Sequence, residues 1–199
     1  MKLTSSSNKA NAVFFSFACC LAACSAQANA AEGTLKMKFV YGGSAPAQET
    51  LNLAQNGDFC GTHNLINEEL VVDSSTNGIK NIVVYVYTRS SDIPEQPPAN
   101  KTHELANKNC RFEPHVVLTQ TGDVLNVTNP DPVGHNANLN FFRNTAQNLM
   151  IPAEQNKEVQ LEEAEPAPIP IDCNIHPWMR AYVVVLEHPF AGVSNESGE

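Results

Sequence analysis

Three side chains with affinity for transition metals lie close together near the end of the chain. Cys173, His176 and Met179 all belong to residues 173–179, which have the sequence CNIHPWM. Thiolate and thioether groups are soft donors that favour Cu(I), whereas imidazole binds copper in either oxidation state. A compact loop would direct all three side chains to one point. The segment therefore predicts most of a redox-active copper site.

A complete site of this kind needs a second histidine from elsewhere in the chain, and His135 supplies it. Two histidines and a cysteine around the metal, with a weak axial methionine, form the type 1 copper arrangement. His135 lies in residues 124–136, VLNVTNPDPVGHN, where a predicted strand ends in a turn. Turns between strands gather at the ends of a β-sandwich and often carry functional residues. Zinc also binds cysteine and histidine, but Met179 argues against it because zinc rarely takes a thioether.

The elements that must position these residues are predicted to be short β-strands. Runs of β-branched and apolar residues alternate with turn residues, which indicates an all-β sandwich or barrel with one face of each strand buried. Two proline-rich stretches, 93–99 and 164–170, are predicted to be loops or sheet edges because proline lacks the N–H of a strand ladder. The polar residues 188–199 are expected to fray. The predicted strands are residues 35–41, 82–87, 116–119, 124–128, 137–142, 158–161 and 181–187.

The first 30 residues have the features of an export signal. Lys2 and Lys9 precede an apolar run at residues 13–23 that is too short for a stable membrane anchor. Two cleavage sites compete. An Ala-Asn-Ala sequence at residues 28–30 suits signal peptidase and would leave Ala31 first. The Leu-Ala-Ala-Cys sequence at residues 21–24 resembles a bacterial lipobox, in which Cys24 would be lipidated and residues 1–23 removed.

Composition excludes several classes of protein. An apolar content of 42% in 199 residues is too high for a disordered chain. Lys2 and Lys9 are the only charged residues of the predicted signal, so its removal would change the formal charge from −9 to −11. Such a surface disfavours binding to nucleic acid phosphates and would attract a basic partner. Membrane association is expected only through the lipid anchor.

Cys60 and Cys110 are two further cysteines of the exported chain. In an oxidising compartment a disulfide between them is the expected state. The alternative is a second metal site, because residues 60–63, CGTH, repeat the Cys-x-x-His spacing of residues 173–176.

The two metal-binding segments together resemble the cupredoxins, the type 1 or blue copper proteins. The pattern V-x-N-x-D-x-x-x-H-N at residues 127–136, followed by C-x-x-H-P-aromatic-M at residues 173–179, is most similar to amicyanin and related methylamine-utilisation proteins. The likeness covers residues 114–187. It implies a Greek-key cupredoxin sandwich or barrel within a domain of residues 31–187, with an N-terminal β extension before the core.

The resemblance also implies roles for individual residues. His135, Cys173 and His176 would be equatorial copper ligands and Met179 the axial one, while Asn136 would join the ligand loops by hydrogen bonds. Electrons would leave through His176, beside Trp178.

The function implied is one-electron transfer with a redox protein partner in the periplasm or cell envelope. The alternative is copper storage or delivery, or a surface interaction module. An enzyme is disfavoured, because multicopper enzymes join the type 1 site to further copper through a His-Cys-His run, and Cys173 is flanked by Asp172 and Asn174.

Overall fold

The computed structural model describes residues 33–51, 53, 59–87, 93 and 96–199. The predicted signal, with Cys24, lies outside the described residues. One compact unit spans Lys36–Glu199. Within the described part of this chain, no helix is both long and apolar enough to cross a membrane.

Regular structure in the described residues consists of β-strands and one 3₁₀ turn at Cys60–Thr62. The short strands follow from the β-branched runs and frequent turn residues of the sequence. The strands are β1 (Val83–Tyr85), β2 (Thr102–Lys108), β3 (Arg111–Glu113), β4 (Val116–Gln120), β5 (Val124–Asn129), β6 (His135–Leu139), β7 (Gln147–Ile151), β8 (Gln155–Gln160), β9 (Ile169–Asp172), β10 (Arg180–Leu186) and β11 (Ala191–Val193).

Two sheets form a sandwich around the main apolar core. One sheet has the order β4-β10-β9-β6-β7 and the other β3-β2-β5-β8. Neighbouring strands are antiparallel except for the parallel pairs β4/β10 and β2/β5, which join strands that are not consecutive in sequence. One core cluster contains Leu125 and Val127 of the second sheet together with Leu139, Ile171 and Val183 of the first. The predicted all-β Greek-key sandwich is therefore confirmed.

Several strand predictions differ from the structure. Residues 35–41 form no strand, and only Val40 makes an isolated bridge, to Gly78. The sequence did not predict β2, β3 or β7. In β7 burial alternates, but the exposed positions hold both the polar Asn148 and the apolar Met150, so hydrophobicity does not alternate along the sequence. This edge strand is held by pairing to β6. Half-exposed edge strands need less apolar alternation than central strands, so pattern alone does not identify them.

The prediction for residues 164–170 as a loop or sheet edge is wrong at its end, because Ile169 and Pro170 belong to β9. This strand lies inside the sheet, between β10 and β6. Its pairing with β6 covers only Ile171 and Asp172. The carbonyl of Pro170 faces the same side of β9 as β6, but β6 has already ended at this point. Nδ2 of Asn140 donates to the carbonyl there at 3.3 Å. In an antiparallel strand the N–H and C=O of a residue face the same side, so the missing proline N–H removes no ladder bond.

The expectation that residues 188–199 fray is also wrong. Residues Ala191–Val193 form β11, which pairs antiparallel with β1. Val83 and Val193 of this ribbon pack with Val184 and Leu186 on the outer face of β10. Because β10 is apolar on both faces, its outer face needs a cover. Of the strands in the predicted N-terminal β extension before residue 114, β1 lies in this ribbon, whereas β2 and β3 belong to the second sheet of the sandwich.

Cys60 and Cys110 form a disulfide across a sequence separation of 50 residues, as predicted. The bond joins the 3₁₀ turn at Cys60–Thr62 to the turn between β2 and β3. Both cysteines are buried in a small apolar cluster that also includes Leu65 and the partly buried Val133 and Trp178. A bonded Cys60 offers no thiolate, so the structure does not support the alternative metal site at residues 60–63.

Candidate metal centre

Two neighbouring strands bring the predicted ligands to the same end of the sandwich. His135 is the first residue of β6, and Cys173 follows directly after β9. These strands are antiparallel, with Asn138 opposite Asp172, so the start of β6 lies beside the end of β9. His176 and Met179 belong to the loop from β9 to β10 and therefore lie at the same end.

The donor atoms converge closely enough to share one metal ion. One ligand atom each from His135, Cys173 and His176 lie within 4.8 Å of one another. Nδ1 of His176 is 3.7 Å from Sγ of Cys173. Metal–nitrogen and metal–thiolate bonds of about 2.0 and 2.3 Å, the lengths known for zinc, place their donor atoms about 3.7 Å apart when they meet near the trigonal angle. The spacing fits a trigonal metal site.

His135 presents one ring nitrogen without any partner. Its side chain is 0% exposed, Nε2 is bonded to Asp131, and Nδ1 is buried with no hydrogen bond. Buried polar atoms are nearly always paired in native proteins, so an unpaired one needs an explanation. A metal ion held together with Cys173 and His176 would satisfy Nδ1.

Both histidines are held in the neutral form, which is the form that binds metal. The pKa of His176 is lowered to about 4, mainly by burial and also by the nearby His135 ring, while Asp131 opposes the shift. Burial also lowers the pKa of His135, against the opposing effect of Asp131. A neutral imidazole keeps a free lone pair, so the two rings need not lose a proton at neutral pH to bind a metal.

The ligand loop is closed by its own hydrogen bonds. The backbone N–H of His176 donates to Sγ of Cys173 at 3.4 Å, and that of Met179 donates to the carbonyl of His176 at 2.9 Å. The N–H of Cys173 donates to the carbonyl of Met179 at 3.1 Å. Met179 is 1% exposed and belongs to the same core cluster as Cys173. The loop is therefore compact, with its soft donors facing inward.

Asn136 links β6 to the ligand loop. Its Oδ1 accepts the backbone N–H groups of Asn174 at 2.8 Å and Ile175 at 3.2 Å, and the thiol of Cys173 donates to the same atom at 3.4 Å. Its Nδ2 donates to Asn148 at 2.7 Å and to the side chain of Asn174 at 2.8 Å. Contacts of this kind around metal ligands fix their orientation and tune the metal.

Trp178 lies between His176 and the disulfide. Its ring centroid is 5.2 Å from that of His176, and its Nε1–H donates to the carbonyl of Cys110 at 3.0 Å. The side chain is half-buried and contacts both the main core and the cluster around the disulfide. The neighbouring Ile175 is 44% exposed and Pro177 is exposed, so this end of the molecule carries apolar surface.

Asp131 is the residue of the site to which the sequence assigned no role. It lies four residues before His135, inside the motif at residues 127–136. Cys110, Asp131 and His135 also form a second group of closely spaced donor atoms, but the disulfide removes Cys110 as a thiolate ligand. The sequence did contain a signal for this role, because the Asp131 carboxylate lies only four residues before a candidate metal-binding histidine.

No family model matches this chain, and no curated protein does. Among solved structures, a methionine-to-alanine mutant of amicyanin in its Cu(I) form is 22% identical, over 41% of this chain and 79% of that one, with a TM-score of 0.36. A reduced tryptophan-to-tyrosine mutant of amicyanin is 23% identical, over 46% and 93%, with a TM-score of 0.38.

The two-sheet all-β sandwich agrees with the fold that the resemblance to the cupredoxins implied. A copper-containing nitrite reductase from Thermus scotoductus is 15% identical, over 51% of this chain and 25% of that one, with a TM-score of 0.38. Scores this low carry no argument about fold or function. The side chains of the site are the stronger observation. Ligand atoms of His135, Cys173 and His176 lie close together, and Met179 packs in the same core cluster as Cys173, a set that fits a type 1 copper centre.

Proposed function

We propose that this chain binds one copper ion in a type 1 site and carries single electrons in the cell envelope. The observation that carries the proposal is the fully buried His135, whose Nδ1 has no hydrogen-bond partner and whose ring offers a ligand atom close to those of Cys173 and His176. His135, Cys173 and His176 are the proposed equatorial ligands and Met179 the axial one. A bound copper ion would supply a one-electron couple between its two oxidation states.

Electron transfer favours a site that changes little between oxidation states. The protein itself holds the donor atoms in place, through hydrogen bonds within the loop from Cys173 to Met179 and through the contacts of Asn136. All four proposed ligands are at most 6% exposed, which keeps water from adding to the metal. A buried and fixed donor set suits a carrier better than an enzyme, which needs room for substrate at the metal.

A redox titration of the copper-loaded protein tests the proposal. A carrier is expected to show a reversible one-electron couple, with an unchanged spectrum after repeated oxidation and reduction. A protein that stores or delivers copper need not show this couple and would lose the ion on reduction or transfer it to a chelator. Loss of copper during the first cycle would contradict the proposal.

Met179 is expected to set the reduction potential more than it sets copper binding. As the weak axial donor, it leaves three strong ligands when it is removed. Met179→Leu should raise the potential, because an apolar side chain disfavours Cu(II), and Met179→Gln should lower it through its harder oxygen donor. Cyclic voltammetry measures both. Met150→Leu is the matched control, since Met150 is 57% exposed on β7 and should leave the potential unchanged. Equal potentials in all variants would exclude Met179 from the site.

The electron is proposed to leave through His176 and the apolar surface beside Trp178. Exposed apolar patches with a polar rim serve as docking sites, and a transient partner needs only a small interface. Trp178→Glu should keep the visible spectrum and slow electron exchange with a basic redox protein such as cytochrome c, in stopped-flow measurements. Phe142→Glu, a change at an exposed residue beyond the far end of β6, is the control and should leave the rate unchanged. A collapsed spectrum would assign Trp178 a structural role, and two unchanged rates would place the port elsewhere.

Export is part of the proposal, and the disulfide supports it because such bonds persist in oxidising compartments. A lipid on Cys24 would hold the protein at a membrane surface, whereas cleavage before Ala31 would release it. The formal charge of −11 expected after signal removal favours a basic redox partner, and this attraction should weaken as salt increases.

A further inference from the structure

The buried carboxylate of Asp131 is surrounded by three hydrogen-bond donors. The side chain is 3% exposed. Its Oδ1 accepts the backbone N–H of Asn109 at 2.7 Å, and its Oδ2 accepts that of Cys110 at 2.8 Å. The third partner is Nε2 of His135, 2.9 Å from Oδ2. Because carboxylate oxygens only accept hydrogen bonds, the nitrogen that faces Oδ2 must carry the hydrogen.

The position of Asp131 is set by elements other than the metal site. Asn109 and Cys110 join β2 to β3 with φ values of 55° and 56°, a left-handed turn that turns two successive N–H groups toward the carboxylate. The disulfide to Cys60 also restrains this turn. Oδ1 of Asn129 also accepts the backbone N–H of Asp131 at 3.1 Å. The carboxylate is therefore fixed before any metal binds.

We propose, on the basis of the copper function proposed above, that Asp131 is a positioning residue for His135 and lowers the reduction potential of the site. Its first effect is to keep the hydrogen of His135 on Nε2, which leaves the Nδ1 lone pair for the metal. The second effect is electrostatic. A buried negative charge one imidazole ring away from the metal stabilises the doubly charged ion more than the singly charged one, because screening is weak in the interior.

Asp131→Asn tests the electrostatic effect. The amide has nearly the same shape as the carboxylate but no negative charge. It also offers a single acceptor oxygen, whereas the carboxylate has two oxygens for its three donors. The affinity for Cu(II) is expected to fall relative to that for Cu(I) by about tenfold or more, within the range typical of partners of metal ligands. For a one-electron couple a tenfold change corresponds to a rise in potential of about 59 mV. Voltammetry measures the potential, and competition with chelators measures the two affinities.

Asp123 offers a matched control elsewhere in the fold. Its carboxylate also accepts two backbone N–H groups, from Lys101 and Gln120, and bonds Nε2 of His103, each at 2.8 Å. Asp123 precedes β5, whereas Asp131 follows it, so the two lie at opposite ends of that strand. Asp123→Asn should lower stability in a similar way and leave the potential at the wild-type value. Equal shifts in both variants, or no shift in Asp131→Asn, would overturn the electrostatic effect.

A measurement on the metal-free wild type tests the positioning effect even if Asp131→Asn does not fold. Nitrogen-15 NMR distinguishes the protonated ring nitrogen of His135, which we expect to be Nε2. Protonation at Nδ1 would overturn the proposal. A failure of the copper function is distinguishable, because wild type would then bind no copper with a thiolate band, while the NMR result would still report on the pair of Asp131 and His135.

Discussion

Replacing Cys173 by serine is expected to abolish the intense visible absorption of the Cu(II)-loaded protein. That band arises from charge transfer between a thiolate and Cu(II), and Cys173 is the one free cysteine among the described residues. A serine hydroxyl is nearly isosteric and is neither ionised at neutral pH nor a soft donor. His135 and His176 would still bind Cu(II), so the expected product is a weakly coloured protein with reduced copper affinity rather than one without copper.

Visible absorption and electron paramagnetic resonance of wild type and Cys173→Ser, each loaded with one equivalent of Cu(II), measure this effect. Zinc-loaded wild type is the control for light scattering and should be colourless. The variant should stay folded, because the change is small and Oδ1 of Asn136, 3.4 Å from Sγ, can accept from a hydroxyl as well. A colourless Cu(II)-loaded wild type would contradict the type 1 assignment. An unchanged band in Cys173→Ser would exclude Cys173 as the thiolate ligand.

Removing the disulfide is expected to lower the free energy of unfolding by about 4 kcal/mol. Cys60 and Cys110 are 50 residues apart, and in the chain-entropy model closing a loop of this length restricts the unfolded chain by about that amount. Single domains are stable by about 5–15 kcal/mol, so the double variant Cys60→Ala, Cys110→Ala would lose a large part of its stability. The loss comes mainly from the unfolded state, because alanine still fills part of the buried site.

Urea unfolding of the metal-free proteins measures the difference, and metal-free Cys173→Ser is the control for the loss of a buried cysteine outside the disulfide. A stability within about 1 kcal/mol of wild type would show that the bond does not restrict the unfolded chain. Thiol titration of unfolded, unreduced wild-type protein should detect Cys173 but neither Cys60 nor Cys110. If both are free in the exported protein, the disulfide is absent under native conditions.

The sequence alone indicated the chemistry of the site, because most of that chemistry is local. Cys173, His176 and Met179 are close enough for one loop to bring them together in almost any β-sandwich, and their donor types exclude most other metals. The all-β fold was also predictable, since short β-branched runs separated by turn residues have few alternatives. The disulfide followed from counting cysteines once export was expected.

Tertiary structure decided the features that depend on residues distant in sequence. β11 pairs with β1 over roughly one hundred residues because the apolar outer face of β10 needs a cover. Pro170 is tolerated inside a sheet only because β6 ends before the position that would pair with it, so no ladder hydrogen bond requires its missing N–H. The carboxylate of Asp131 meets His135 in a fixed geometry because a left-handed turn, 21 residues away at Cys110, supplies the N–H groups that hold it. Local sequence patterns indicate which residues favour burial or turns. Both faces of a sheet become buried, and polar groups become paired, only when distant segments pack together.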